Sequence, residues 1–98
     1  MDDSDKVLKW QVSFSAKAAK QVKKLPSNIY EALGLLALDI EKNGYIRRNW
    51  KNFGALQKDI YHCHIKKGHP TYVACWRVDR ETNKVEFYYV GTHEKAPY

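Results

Sequence analysis

Apolar and polar positions alternate from Trp10 to Phe14, with Trp10, Val12 and Phe14 on one side and Lys9, Gln11 and Ser13 on the other. A period of two predicts a strand with one buried face over residues 7–14. The period then changes. Ser15 is placed to cap a helix whose apolar side is Ala18, Ala19, Val22 and Leu25, with Lys17, Lys20, Lys23 and Lys24 outside. Pro26 stops that helix, because it lacks an N–H and its ring clashes with the preceding turn. Ser27 is expected to cap a second helix, whose apolar positions Ile29, Leu33, Leu36 and Ile40 are spaced four, three and four apart. Asn43-Gly44 should end it in a left-handed C-cap. Two helices joined this tightly form a helical hairpin.

Residues 45–56 show no period. Arg47, Arg48 and Lys51 interleave with Tyr45, Trp50 and Phe53, which reads as a basic loop whose aromatic rings either stack on bases or pin the loop to the core. Alternation returns in three segments. Residues 59–66 and 71–79 read as strands joined by a tight Lys67-Gly68 turn, and residues 85–90 as a last strand, apolar enough to lie inside a sheet. With that turn, residues whose numbers add to about 135 face each other. Tyr61, Cys63 and Ile65 then share a face with Tyr72, Ala74, Trp76 and Val78, which should carry the helices. Lys58, Ile60, His62 and His64 share the opposite face with Thr71, Val73, Cys75 and Arg77, which should be polar, basic and exposed. The predicted fold class is α+β: an N-terminal strand, a helical hairpin, then three antiparallel strands, with the helices on one face of a small twisted sheet.

Length changes this picture little. Ninety-eight residues make a single domain, 1–98, with residues 1–6 expected to be flexible. Charge changes it more. The net charge is +6 and the isoelectric point about 9.3, which calls for an acidic partner. Residues 42–77 hold eight Lys or Arg and one acid, Asp59, so the basic surface is directed. No apolar stretch approaches the ~20 residues that span a bilayer, and the acidic start, Asp2-Asp3-Ser4-Asp5, is unlike a secretory signal. A cytoplasmic location without membrane association is expected, and there Cys63 and Cys75 should be buried thiols, with no disulfide. His62 and His64, two apart on one strand, point the same way as metal ligands do. Zinc needs three or four ligands and Cys63 points to the other face, so no metal and no cofactor are expected.

Several stretches together resemble the RelE/ParE superfamily of bacterial toxins. "WQVSFSAKAAKQVKKLP" is similar to its opening strand and Lys-rich first helix, "DIYHCHIKKGHPTYVACWRV" to its central hairpin, and "VEFYYVGTHEKAPY" to its last strand and reactive tail. The resemblance implies a RelE-like toxin of a type II toxin–antitoxin system, held by a cognate antitoxin protein. It implies a metal-independent endoribonuclease that cuts mRNA on the ribosome by 2′-hydroxyl attack and so stops translation, with no direct DNA binding of its own. The same superfamily includes gyrase inhibitors, and an inactive RNA- or antitoxin-binding module is a further alternative.

The implied catalytic residues are His62 and His64 on the strand, and His93 and Tyr98 in the tail. Such cleavage needs a base for the 2′-hydroxyl, an acid for the leaving oxygen and cations around the phosphate; His suits both proton roles near neutrality. Glu94 is a lesser candidate base, and His69 should be an inert turn residue. Lys58, Lys66, Lys67, Arg77, Arg47, Arg48 and Lys51 are the candidate RNA-binding residues. The family's hairpin Arg falls on Val73 here, and Arg77 lies four residues further along, roughly 13 Å at strand rise. The tail is expected to complete the site, with Gly91 turning the backbone off the last strand and Pro97 limiting the swing of Tyr98.

Overall fold

A computed structural model describes residues 9–98. The chain runs β1 (Gln11–Phe14), α1 (Ala16–Val22), α2 (Ser27–Asn43), β2 (Gly54–Gln57), β3 (Ile60–Lys66), β4 (Tyr72–Asp79) and β5 (Lys84–Thr92), then a single 3-10 turn, His93–Lys95. The expected flexibility of residues 1–6, and a strand beginning at residue 7, lie outside the described residues. One sheet has the order β1-β5-β4-β3-β2, with β1 parallel to β5 and every other pair antiparallel. The α+β architecture is the one the periodicity predicts, with one added strand. β2 pairs with β3 at the sheet edge, so four strands rather than three run antiparallel.

Ser15 caps α1, its hydroxyl accepting from the Ala18 N–H at 3.1 Å. Ser27 does not cap α2: it is the first helical residue, and Pro26 holds the cap position without a side-chain bond. The Pro26 carbonyl accepts from Ile29 and Tyr30 instead, and its fixed φ suits the lead-in. Gly44 ends α2 at φ 101° and ψ 176°, a backbone that needs glycine but is extended rather than the expected left-handed curl. Its N–H bonds the Ile40 carbonyl at 2.8 Å. Ile29, Leu33, Leu36 and Ile40 are all buried, against Tyr61, Cys63, Ile65, Ala74 and Trp76 of the sheet. Trp76 and Phe87 are fully buried at the centre of this layer.

The loop after α2 is tied to the helix by one carboxylate. Asp39 accepts from Asn43 Nδ2 (2.8 Å), Asn49 Nδ2 (3.1 Å) and Trp50 Nε1 (3.0 Å), and pairs with Arg47 Nη1 at 3.0 Å. Burial pushes the Asp39 pKa up, but these donors outweigh it and hold the carboxyl well below the usual carboxylate range. Arg47, expected on the RNA-binding surface, is therefore committed to the fold: its side chain is only 14% exposed and also caps the Gly44 and Asn43 carbonyls. Trp50 and Phe53 pack against the core, with Phe53 stacked on Tyr61 at 5.6 Å, so of the two readings of these rings the packing one holds.

The β3–β4 turn is longer than two residues. Paired positions add to 137, not 135, up to His64↔Val73, and the turn spans residues 67–71. Thr71 Oγ1 braces it, donating to the Gly68 carbonyl at 2.9 Å. A shift of two leaves every side chain on its predicted face. The second face is less open than expected, however. A bulge in β5 pairs Cys75 with Tyr89 but Trp76 with Phe87, leaving Tyr88 as the extra residue. Tyr88 and Tyr89 thus both turn to the His-bearing face, where with Leu56 and Ala96 they cover Val73 and Cys75 completely.

Candidate active site

His62 and His64 project from β3 on the face away from the helices. Each is flanked by a partner strand with little bulk. Gly54 of β2 stands opposite His62, and a Cβ there would lie 3.4 Å from His62 Nε2, so the imidazole lies across a bare stretch of backbone. His64 faces the buried Val73. Its own N–H donates to the Lys51 carbonyl at 2.8 Å, which draws the basic loop to the edge of the site.

The tail supplies the other two rings. β5 runs straight through Gly91 to Thr92, so Gly91 does not turn the chain as expected. Its missing side chain does something else. Tyr89 curls beneath it and donates its hydroxyl to the Thr92 carbonyl at 2.7 Å; a Cβ on Gly91 would sit 2.8 Å from that oxygen. The 3-10 turn follows at once, fixed by His93 N–H to the Thr71 carbonyl at 2.8 Å. It delivers His93 edge-on to His64, ring centroids 5.4 Å apart. Pro97 and Tyr98 then fold back over the sheet, and the Tyr98 ring lies 4.7 Å from His62 and 5.9 Å from His93. The four residues singled out in the sequence form one contiguous cluster.

Burial first, then the charges of His64 and His93, lower the His62 pKa; burial, His93, Lys67 and Lys51 lower that of His64. Both imidazoles are neutral at pH 7. The Nδ1 atoms of both are buried without a hydrogen-bond partner, a condition that costs about 1–3 kcal/mol per group and concentrates at functional sites. Burial pushes the Tyr98 phenol up to about 12, so it keeps its proton at neutral pH. Burial likewise raises Cys63 and Cys75 to about 12; they are free, inert thiols on opposite faces.

The remaining candidates are scattered around this cluster. Lys51, Lys66, Lys67 and Arg48 are exposed, with Lys51 and Lys67 near enough to His64 to influence its charge. Lys58 is exposed in the β2–β3 turn. Arg77 pairs with Glu86 at 3.2 Å and lies over the Tyr88 ring at 4.5 Å. His69 is exposed in the turn, and Glu94 is exposed on the 3-10 turn. Sequence reasoning missed Gly54, Tyr88 and Tyr89; the Tyr88-Tyr89 doublet, breaking an otherwise strict alternation, was the available signal. Among the described residues, no three His, Cys, Asp or Glu side chains gather as metal ligands, and no helix is long and apolar enough to cross a membrane.

No protein-family model and no curated protein matches this sequence. Solved structures do. The chain is similar to one in the archaeal RelE–RelB complex from Pyrococcus horikoshii, with a TM-score of 0.71 at 13% identity over 91% of this chain and 100% of that one. It is similar to the isolated Escherichia coli RelE toxin, at 0.67 and 24% identity over 90% and 88%. It is also similar to a chain of the RelBE2 toxin–antitoxin complex from Mycobacterium tuberculosis, at 0.62 and 22% over 88% and 100%. The fold is RelE-like.

Proposed function

We propose that this RelE-like protein is the toxin of a toxin–antitoxin pair, and that it cleaves mRNA on the ribosome by 2′-hydroxyl attack on the adjacent phosphate. The observation that carries this reading is the convergence of His62, His64, His93 and Tyr98 on one basic face. The attacking 2′-hydroxyl must lose a proton and the leaving 5′-oxygen must gain one. His62 and His64, neutral at pH 7, suit the first role. His93, exposed at the mouth of the cluster, suits the second, or holds charge on the phosphate. Lys51 and Lys67 stand where they influence His64, and they supply the cationic field that a guanidinium at Val73 would have given. Tyr98, half exposed, offers a ring for a base to stack on.

The antitoxin is an acidic, partly disordered protein with an amphipathic helix, which would neutralise the +6 charge. Its apolar side has a matching groove of about 720 Å³ between the two helices, lined by Phe14, Val22, Leu25, Tyr30, Leu33 and Ala37. The test is expression in cells with mapping of mRNA ends. His93→Ala and deletion of Tyr98 should each lower cleavage by ~10²–10⁴-fold and abolish growth arrest, with folding and antitoxin binding intact. His69→Ala should remain toxic. Arrest of DNA replication with an SOS response, and intact mRNA, would transfer the protein to gyrase inhibition. The apolar, sealed Val73 favours a second reading, a binding module without activity, which unchanged translation and unchanged mRNA ends would support.

A further inference from the structure

β5 is paired along one side from end to end, and along the other over its first part only. On the β4 side the ladder runs to Tyr72↔Thr92. On the β1 side it stops at Phe14↔Phe87, where the Ser15 N–H makes a last bond to the Phe87 carbonyl at 2.9 Å. Residues 88–92 therefore have an open edge, and α1 packs against the strand there. Val90 is 1% exposed, so its N–H on that edge is closed to water. It donates instead to Gln21 Oε1 at 2.9 Å. Gln21 follows the buried Ala18 by three residues and precedes Leu25 by four, which puts a polar side chain on the sheet-facing side of α1. Its amide oxygen takes the place of the strand that is missing there.

We propose that Gln21 is a positioning residue for the His cluster: its bond to Val90 fixes the end of β5 against α1 and so sets the place of His93 beside His64. The effect on rate rests on the cleavage reading; the geometry that Gln21 fixes does not. A purely structural Gln21 would satisfy a buried donor and do nothing more. Its position in the chain gives it a longer reach. Val90 is the last buried residue before the tail, and His93 stands three residues beyond it, its ring 5.4 Å from that of His64. Two other bonds hold this stretch, the Tyr89 hydroxyl to the Thr92 carbonyl and the His93 N–H to the Thr71 carbonyl. Both stay within β5 and its junction with the β3–β4 turn, whereas the Gln21 bond ties the root of the tail to a helix. Without it the strand is held from the β4 side alone, and its end can part from α1 and carry the 3-10 turn away. The His64 imidazole reports such a movement. After burial, the charges of His93, Lys67 and Lys51 lower its pKa, and of these three only His93 travels with the tail.

The experiment compares the full chain with Gln21→Leu and Gln21→Glu. Leucine keeps the helix propensity and the apolar contact but offers no acceptor. Glutamate keeps the acceptor oxygen, and Lys17 and Lys24, four before it and three after it on the chain, offset its charge. Nuclear magnetic resonance follows the His64 titration, and cleavage of mRNA on programmed ribosomes gives kcat and KM. In Gln21→Leu the His64 midpoint should rise towards the ordinary 6.5, because the departing tail takes the His93 charge and part of the cover with it. There kcat should fall by about 10–10²-fold with KM unchanged. Gln21→Glu should restore both. In the parent protein the Val90 amide should exchange slowly with deuterium; fast exchange there would overturn the proposal even if neither variant folded. An unmoved His64 midpoint in folded Gln21→Leu would overturn it as well. So would an undiminished kcat in that variant, or a glutamate that restores nothing. If the parent leaves mRNA intact and the midpoint still moves, the ribonuclease reading falls and the positioning of His93 by Gln21 stands.

Discussion

Gly91→Ala tests whether the tail is held by the Tyr89 hydroxyl. The added methyl would stand 2.8 Å from Tyr89 Oη and 3.1 Å from Cζ. Tyr89 cannot swing clear cheaply, because it is 6% exposed and packs on Val73 and Cys75, both fully buried. Overpacking of this kind costs about 1–3 kcal/mol. Displacing the phenol also breaks its 2.7 Å bond to the Thr92 carbonyl, worth about 0.5–1.5 kcal/mol. Alanine restricts the unfolded chain, which returns about 0.4–1 kcal/mol. The net is a destabilisation of about 2 kcal/mol, which at this chain length lowers Tm by about 8–16 °C. Tyr89→Phe alone should cost only about 1 kcal/mol. In the double variant the clashing oxygen is gone, so the two effects should fall short of additive by about 1 kcal/mol. Thermal and urea unfolding of the four proteins measure this directly. A neutral Gly91→Ala, or strict additivity in the cycle, would show that the phenol does not occupy the space beneath Gly91. His93 lies two residues further on, so the same variant should lose toxicity at temperatures where it is still folded.

Asp39→Asn should destabilise by about 2–3 kcal/mol, because Arg47, Asn43, Asn49 and Trp50 lose a charged acceptor; chemical denaturation reads it. The Asp39 pKa is depressed on folding, so its contribution is complete above the ordinary carboxylate pKa near 3.8 and disappears as pH falls through the folded value. His62 and His64 also have pKa values lowered on folding, so the unfolded chain binds more protons than the folded one below about pH 6.5. Stability should therefore rise with pH through that window, and His64→Gln should flatten the slope in a series of melts from pH 5 to 8. For the same reason the acid limb of the proposed RNA cleavage should lie below pH 6.5, where the two imidazoles begin to charge.

Helices and the two sheet faces were legible because each rests on a period that several residues repeat. The β3–β4 turn illustrates what such a pattern does and does not hold. Lys67-Gly68 pointed to a two-residue loop, and the real turn takes five; yet the error of two in register left His62, His64 and Cys63 on their predicted faces. β2 was not legible, since Gly54–Gln57 is short, contains a glycine and follows a loop whose aromatic residues obscure any alternation. The commitment of Arg47 to Asp39 depends on two segments eight residues apart meeting around the end of α2, which no local pattern encodes. A break in alternation, as at Tyr88-Tyr89, marks an irregularity without saying to which face the extra residue turns. The Tyr88-Tyr89 doublet shifts the strand by one residue, and with that shift both rings cover Val73. The clustering of His93 and Tyr98 with β3 came from the resemblance, not from any period in the tail.

The placement of β5 between β1 and β4 has a consequence for how the molecule comes into being. Gln11 pairs with Lys84, and Phe14 with Phe87. A nascent chain that has emerged only as far as β4 holds a three-stranded meander, with β1 stranded on the far side of a missing ribbon. The β4 edge is then unpaired, and the apolar side of α2 covers an incomplete floor. Contacts this distant in sequence form slowly, because a long loop must close before any of them is made. β5 is the strand that joins β1 to β4, and His93 and Tyr98 follow it directly in the chain. Until β5 docks, His62 and His64 have neither ring beside them. His93 and Tyr98 therefore reach His62 and His64 only through the strand that joins the two halves of the sheet, so the four-ring cluster depends on the docking of β5.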